Sequence, residues 1–397
     1  MDRPSPVTAL FAARAVRDFG DGFVAVLLPV HLTLLGLSPV EIGVMATAAL
    51  LGSSLLTLGI GMVGGRHDHR RLLIAAAGLM VASGVAFAVV HDFALLLAIA
   101  FVGTINPSSG SVSIFAPLEQ TVLTAAAADR ARTPMFARYS LVGALAGAVG
   151  ALAAGMPDLM APAGFDHVQA IRLMFVLYAA LGVAGALLYR LIPARASEEK
   201  RPTAALGPSK GIVVRLAMLF SIDSFGSGFV VQSLLALWLF EKFDLSLAAA
   251  GLFFFWSGVL AAFSFPVAAW LARHIGLVNT MVFTHIPANL CLILAAFAPS
   301  LTVVLALLLV RAALSQMDVP TRTSYVMAVV TEAERPAAAS FTVVPRSLAA
   351  AVSPSIGGAL FAAGFQALPL VLSGAIKTAY DLALLFMFRH TRPPEER

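Results

Sequence analysis

Four charged residues stand close together in an otherwise apolar stretch near the start of the chain: Arg14, Arg17, Asp18 and Asp21. Spacings of three and four place them on one stripe of a helix. Further on, Arg311, Ser315, Asp318 and Arg322 follow the i, i+4, i+7, i+11 pattern of a single helical face, with Gln316 beside them. Glu119, followed by Gln120, and Asp223 interrupt other apolar runs. A carboxyl group held away from water can take and release a proton near neutral pH, so proton exchange is the first chemistry on offer. Asp21 and Glu119 are the leading proton-carrying candidates, with Asp223 third. Arg17, Arg311, Gln316, Asp318, Arg322 and Arg346 are candidates for ligand contact or for a gate.

Each candidate has a plainer alternative. Asp21 can pair with Arg17 one turn before it, and Asp18 with Arg14. Arg14 can snorkel to a membrane surface. Asp223 can be a charge at the start of its helix. Glu119 and Arg322 can form a salt bridge that closes a gate. Arg138 and Arg346 fit anchors near a membrane surface, and Lys377 with Asp381 fits an i, i+4 structural pair.

The setting of these charges follows from composition. The chain has 397 residues, 59% of them hydrophobic and 12% charged, with a mean hydropathy of +0.91. A soluble domain carries about 25% charged residues, so this much apolar area must face lipid. That excludes a soluble enzyme and a nucleic-acid binder despite a sequence pI near 9.7. The single cysteine, Cys291, excludes a disulfide framework. Met1 to Val7 lacks a cleavable signal pattern, so the first apolar segment is expected to be retained.

A helix needs about 20 apolar residues to cross a hydrocarbon core of about 30 Å. That ruler predicts twelve spans, at 10–35, 40–63, 72–90, 93–122, 136–156, 170–191, 213–239, 247–271, 277–298, 301–327, 340–363 and 368–388. The first, fourth and tenth exceed a straight crossing, and Pro107, Pro117 and Pro320 are expected bend points. Arginines and lysines gather in alternate loops, among them Arg66, Arg70, Arg71, Arg130, Arg132, Arg273 and Arg335. This asymmetry predicts a multi-pass protein of the cell (inner or plasma) membrane with both termini cytoplasmic. The one sizeable polar stretch suggests a six-helix bundle at 1–192, a cytoplasmic linker at 193–211 and a second six-helix bundle at 212–397.

An internal repeat supports the two halves. Gly20-Asp-Gly22-Phe-Val24 reappears as Gly226-Ser-Gly228-Phe-Val230. Pro117 recurs as Pro320, which aligns Glu119 with Arg322, while Arg17 aligns with Asp223 and Arg138 with Arg346. The offset stays nearly constant across most of the half. Parallel six-helix repeats are a known transporter architecture, with the substrate site at their interface.

These features resemble the major facilitator superfamily of secondary transporters, over essentially the whole chain. Gly61-Met-Val-Gly-Gly65-Arg66-His-Asp68-His-Arg70-Arg71 is similar to the family's Gly-x-x-x-Asp-Arg-x-Gly-Arg-Arg signature. Gly65 stands where the family usually has Asp, so the charge latch implied by the resemblance is weak here or rebuilt with Asp68. Arg311 resembles an arginine common early in the fourth span. Ser353-Pro354-x-x-Gly357-Gly358 is similar to a signature of proton-coupled exporters, although that signature normally sits in the fifth span. The resemblance implies an all-α membrane protein with twelve transmembrane helices in two pseudo-symmetric bundles, acting as a monomer.

The eight histidines show no clustered ligand spacing within one span, so no metal site is expected. No phosphate-cradling Gly-Lys-Ser/Thr loop is present, so no ATP-driven transport and no cofactor are expected. The leading expectation is proton-coupled export of a small organic solute by alternating access, with solute, protons and the lipid bilayer as partners. A lipid or lysolipid flippase and a solute importer are the alternatives within this fold. A membrane-embedded transferase would need a larger aqueous loop than Pro157–Val168 offers, and a receptor would bind without flux. The buried arginines favour an anionic solute and the carboxylates a cation or a proton; the sequence leaves that choice open.

Overall fold

A computed structural model describes residues 5–63, 68–108, 113–126, 132–193, 207–331 and 334–388. In chain order the helices are α1 (Pro6–Leu34), α2 (Pro39–Val63), α3 (His69–Val89), α4 (Phe93–Val102), α5 (Phe115–Ala126), α6 (Arg132–Ala153), the short α7 (Met156–Met160), α8 (His167–Arg190), α9 (Lys210–Gly228), α10 (Gln232–Phe243), α11 (Leu247–Ile275), α12 (Leu277–Phe297), α13 (Leu301–Ser315), α14 (Asp318–Ala328), α15 (Arg335–Ala362) and α16 (Leu368–Phe388). No strand occurs among the described residues. Nine described helical segments are long and apolar enough to cross a membrane. The charged α1, the interrupted α4–α5 pair and α15 are compatible with the other three expected spans. The protein is all-α and membrane-spanning.

Helix ends that emerge from apolar surroundings still need partners for their first N–H groups. Ser5 accepts from the backbone of Thr8 at 3.2 Å ahead of Pro6. Asp92 accepts from Leu95 at 2.9 Å and Ser300 from Val303 at 3.4 Å. Ser38 and Glu41 cap α2 reciprocally, the Ser38 N–H reaching Glu41 Oε2 at 2.7 Å. Asp68, in the signature loop, accepts from the Arg70 N–H at 3.0 Å and lies 3.9 Å from Arg71 Nε. It therefore acts first as the cap of α3. Gly61 is in the last turn of α2, whereas Arg66 and Gly65 lie outside the described residues, as do residues 194–206 of the expected linker.

Three expected spans are interrupted. The fourth leaves helix after Val102 and resumes at Phe115, and the tenth breaks at Gln316 and Met317. Pro107 lies in the first interruption, and Pro117 and Pro320 fall in the opening turns of α5 and α14, where a proline lacks no helical hydrogen bond. The tenth-span break corrects the expectation of one continuous polar face from Arg311 to Arg322. The seventh span breaks at Phe229–Val231, without any proline to announce it.

By internal contacts the chain divides into two compact units. The first comprises Met1–Glu199 with Val231–Phe255. In it α1 packs on α6, α8 and α10, α3 packs on α8, and α2 on α4. The second comprises Lys200–Val230 with Trp256–Arg397. There α9 packs on α15 and α16, and α12 on α13, α14 and α16. Phe263, Trp270, Phe283, Phe297 and Phe386 are exposed, while Arg17, Asp21, Glu119, Asp223, Arg322 and Lys377 are buried. Apolar side chains face outward and charges inward, the arrangement expected in lipid.

Glycines set the closest helix contacts. A Cβ on Gly22 would sit 2.1 Å from the Gly147 carbonyl oxygen of α6, and one on Gly150 would sit 2.0 Å from that of Phe19. Its repeat-mate Gly228 is pressed the same way against Ala350 and Ser353 of α15. The repeated Gly-x-Gly therefore marks a helix seam in each unit. Gly22→Ala is expected to lower the melting temperature of the purified protein. Gly78→Ala, where nothing lies within 4 Å of the new methyl, should be neutral or stabilising by about 0.5–1 kcal/mol.

Between α14 and α15, Glu334 gathers the chain that precedes α9. Its carboxylate accepts from Gly207 N at 2.6 Å, Ser209 Oγ at 2.7 Å and Thr331 Oγ1 at 2.6 Å. The Thr331 and Ser209 hydroxyls hold its pKa down at about 2, below the ordinary 4.5. A depressed carboxylate stabilises the fold above its unfolded pKa and loses that contribution as pH falls through its folded value. The melting-temperature gap between wild type and Glu334→Gln should therefore narrow between about pH 4.5 and pH 2. A gap constant across that window would contradict the assignment.

Candidate functional site

In the first unit the charged stripe of α1 meets α5, α6 and α8. Arg14 Nε lies 2.6 Å from Asp18 Oδ2, a close contact rather than an aligned hydrogen bond, and its guanidinium covers the Tyr139 ring at 4.7 Å. Arg17 Nη2 reaches Asp18 at 3.1 Å and Glu119 Oε2 at 3.4 Å. Its guanidinium stacks over Phe115 at 4.6 Å, and Nη1 donates to Ser113 Oγ at 3.4 Å. Glu119 is fully buried and also accepts from the hydroxyls of Tyr139 and Tyr189. Two cations and two acids cancel here.

Asp21 stands apart from that network. It is 3% exposed, and the Tyr178 hydroxyl donates to its Oδ1 at 3.1 Å. Arg17 turns to Asp18 and Glu119 instead, so the expected structural pair with Asp21 does not form. Among the described residues Asp21 has no cation within ion-pair distance. Tyr178 has a second acceptor, the Thr104 carbonyl at 3.3 Å. Thr104 sits at the start of the interruption in the fourth span, where Pro107 also accepts from the Ser233 N–H of α10 at 3.0 Å.

In the second unit α9, α14 and α16 build a matching network. Asp223 binds Lys377 Nζ at 2.7 Å and Arg322 Nη1 at 3.1 Å. Arg322 also reaches Asp318 at 3.2 Å and lies over Phe220 at 5.3 Å. Asp223 is well inside α9, not at its start. Lys377 donates to Ser227 Oγ at 2.7 Å. Asp381 accepts from His285 at 3.0 Å and from Asn289 at 2.9 Å. The expected Lys377–Asp381 pair is thus replaced by bonds from each residue to other helices.

The two networks are charge-inverted copies of one plan. Arg17 of the first span pairs with Glu119 of the fourth; at the repeat positions, Asp223 of the seventh pairs with Arg322 of the tenth. Glu119 and Arg322 each find an ion-pair partner inside their own unit. Likewise a methyl group on Gly20 would meet the Tyr178 ring, and one on Gly226 the Lys377 side chain, each at 2.9 Å. The Asp21–Tyr178 bond in one unit corresponds to Ser227–Lys377 in the other.

The remaining candidates scatter. Gln316 is exposed at the break between α13 and α14. Arg311 is half-buried on α13 and makes no hydrogen bond or ion pair to a described residue. Arg346 is half-buried and donates from Nε to Ser224 Oγ at 2.9 Å. It lies about 17 Å along α15 at 1.5 Å per residue. Arg70 and Arg71 open α3 and form no ion pair with Asp18, Asp21 or Glu119 of their own unit.

Sequence reasoning missed the tyrosines. The chain has 5 of them against 27 phenylalanines, and Tyr139, Tyr178, Tyr189, Tyr325 and Tyr380 are each 2% exposed or less. In an apolar protein a retained hydroxyl points to a buried polar partner. Tyr139, Tyr178 and Tyr189 each bond a carboxylate, whereas the Tyr380 hydroxyl has no partner among the described residues. That rarity was the available clue.

Removing one partner of a buried ion pair leaves an uncompensated charge, at a cost of about 3–5 kcal/mol. Glu119→Gln should therefore depress thermal stability in detergent more than the double variant Arg17→Gln/Glu119→Gln. Equal losses in the single and double variants would show that the pair does not act as one.

Comparison with known proteins identifies the fold and the family. A family model described as Major Facilitator Superfamily matches residues 10–315. The uncharacterized membrane protein YJR124C of Saccharomyces cerevisiae is 24% identical over 419 residues, covering 96% of this chain and 94% of its own. A bacterial homolog of the human lysosomal transporter Spinster, inward-facing and occupied, matches with a TM-score of 0.77 at 16% identity over 97% of each chain. The nucleoside transporter NupG matches with a TM-score of 0.75 at 12% identity, over 98% of this chain and 100% of its own. The two solved structures share the fold. With most of its length matched by the family model, the chain belongs to the major facilitator superfamily of secondary transporters.

Proposed function

We propose that the protein couples proton entry to the export of a small organic solute by alternating access, with Asp21 as the proton carrier. It works as a monomer in the cell membrane with both termini cytoplasmic. The observation that supports this choice is that Asp21 forms no ion pair with a described residue. Protonating Glu119 or Asp223 must weaken an ion pair with Arg17, or with Arg322 and Lys377. Protonating Asp21 breaks none. The export direction rests on the similarity of Ser353-Pro354-x-x-Gly357-Gly358 to an exporter signature; in the fold, Ser353 Oγ donates to the Phe225 carbonyl at 2.6 Å and ties α15 to α9.

Tyr178 gives the proton a structural consequence. While Asp21 is ionised, the single hydroxyl proton of Tyr178 serves the carboxylate. Once Asp21 is protonated, its own O–H donates to the Tyr178 oxygen, and the tyrosine proton turns to the Thr104 carbonyl. Proton occupancy is thereby felt by the interruption of the fourth span.

Proteoliposomes carrying an internal pH dye and a panel of organic solutes test this proposal. A solute that moves protons in wild type should move none in Asp21→Asn, while solute-for-solute exchange persists. Tyr178→Phe should keep coupling but shift its pH dependence. Proton movement in Asp21→Asn with the wild-type pH profile would exclude Asp21 as the carrier.

A further inference from the structure

Two arginines of the second unit, Arg311 and Arg346, form no ion pair with a described residue. Asp223 and Asp318 cancel Arg322 and Lys377, and Asp381 is engaged by His285 and Asn289. Arg346 Nε is taken by Ser224, but its two terminal nitrogens have no hydrogen bond or ion pair to any described residue. Asp223 and Asp318 lie near enough to attract Arg346, but both are already bonded to Arg322 or Lys377, and Arg322 repels it. Arg138, the repeat-mate on α6, is by contrast exposed.

A guanidinium at membrane depth with no ion pair of its own is expensive, so its partner is sought outside the chain. With Nε fixed by Ser224, the outer edge of the fork presents two parallel N–H donors. That geometry matches a planar carboxylate or a phosphate bidentately, and a lysine could not reproduce it.

We propose that Arg346 binds the anionic group of the transported solute, which is therefore a small organic anion carrying a carboxylate or phosphate. This inference rests on the transporter reading and adds the charge class of its substrate.

Thermal-shift titration of the purified protein tests it without requiring flux. The probes are matched sets of organic carboxylates, organic phosphates and organic ammonium compounds. Carboxylates or phosphates should raise the melting temperature of wild type, and the more effective set identifies the anionic group. Arg346→Gln should weaken that binding by about 30-fold or more, the loss expected when one member of a buried charged pair is removed. Arg346→Lys should fall between, because it keeps the charge and loses the fork, and Arg138→Gln should match wild type. Stabilisation by ammonium compounds alone, by no anion, or by anions equally in wild type and Arg346→Gln would overturn the proposal. Failure of coupled proton flux with anion binding intact would instead count against the transport mechanism alone.

Discussion

A charge placed at membrane depth must be cancelled, and that constraint organises this protein. Insertion of an uncompensated ionised side chain costs at least about 2.5 kcal/mol. The first unit meets the requirement by joining Arg14 and Arg17 to Asp18 and Glu119. The second meets it by joining Asp223 and Asp318 to Arg322 and Lys377. Outside these sets, Asp21 in the first unit and Arg311 and Arg346 in the second form no ion pair with a described residue, and Asp381 is held by His285 and Asn289. In the proposed function Asp21 answers a proton and Arg346 a solute.

The helical framework places these groups. Gly22 and Gly150 bring α1 against α6, and Gly228 brings α9 against α15, at separations no side chain would permit. The stripe of α1 is thereby pressed into the interior of its unit. Interruption of the fourth, seventh and tenth spans leaves main-chain groups unpaired by helix, which lipid would not tolerate unless protein supplies partners. The Ser233–Pro107 bond and the Tyr178–Thr104 bond are two such partnerships. Because Tyr178 also serves Asp21, one of them is tied to an ionisable group.

Much of this was legible in the sequence, for definite reasons. Apolar runs of fixed length report lipid crossing, so nine of the expected spans correspond to described segments long and apolar enough to cross. The charged α1, the interrupted fourth span and α15 fall short of that measure. The near-constant repeat offset aligned Arg17 with Asp223 and Glu119 with Arg322 before any geometry was available. What sequence could not give was the choice of partner. Lys377 and Asp381 are one turn apart, and Arg17 and Asp21 likewise, yet packing against other helices won in both cases. The break at Phe229–Val231 had no proline to mark it, and Arg346 follows Pro345 without any local sign that it lies at mid-helix. Long-range contacts decided these points, and pairwise spacing along one helix does not contain them.

Infrared difference spectroscopy of the protein in lipid, recorded between acid and alkaline pH, addresses the central claim most directly because it observes carboxyl protonation itself. If Asp21 is the group that gains a proton without breaking an ion pair, the spectrum contains a protonated-carboxyl band that vanishes in Asp21→Asn and survives in Glu119→Gln and Asp223→Asn. A band that persists in Asp21→Asn and disappears in either of the other two would contradict the account.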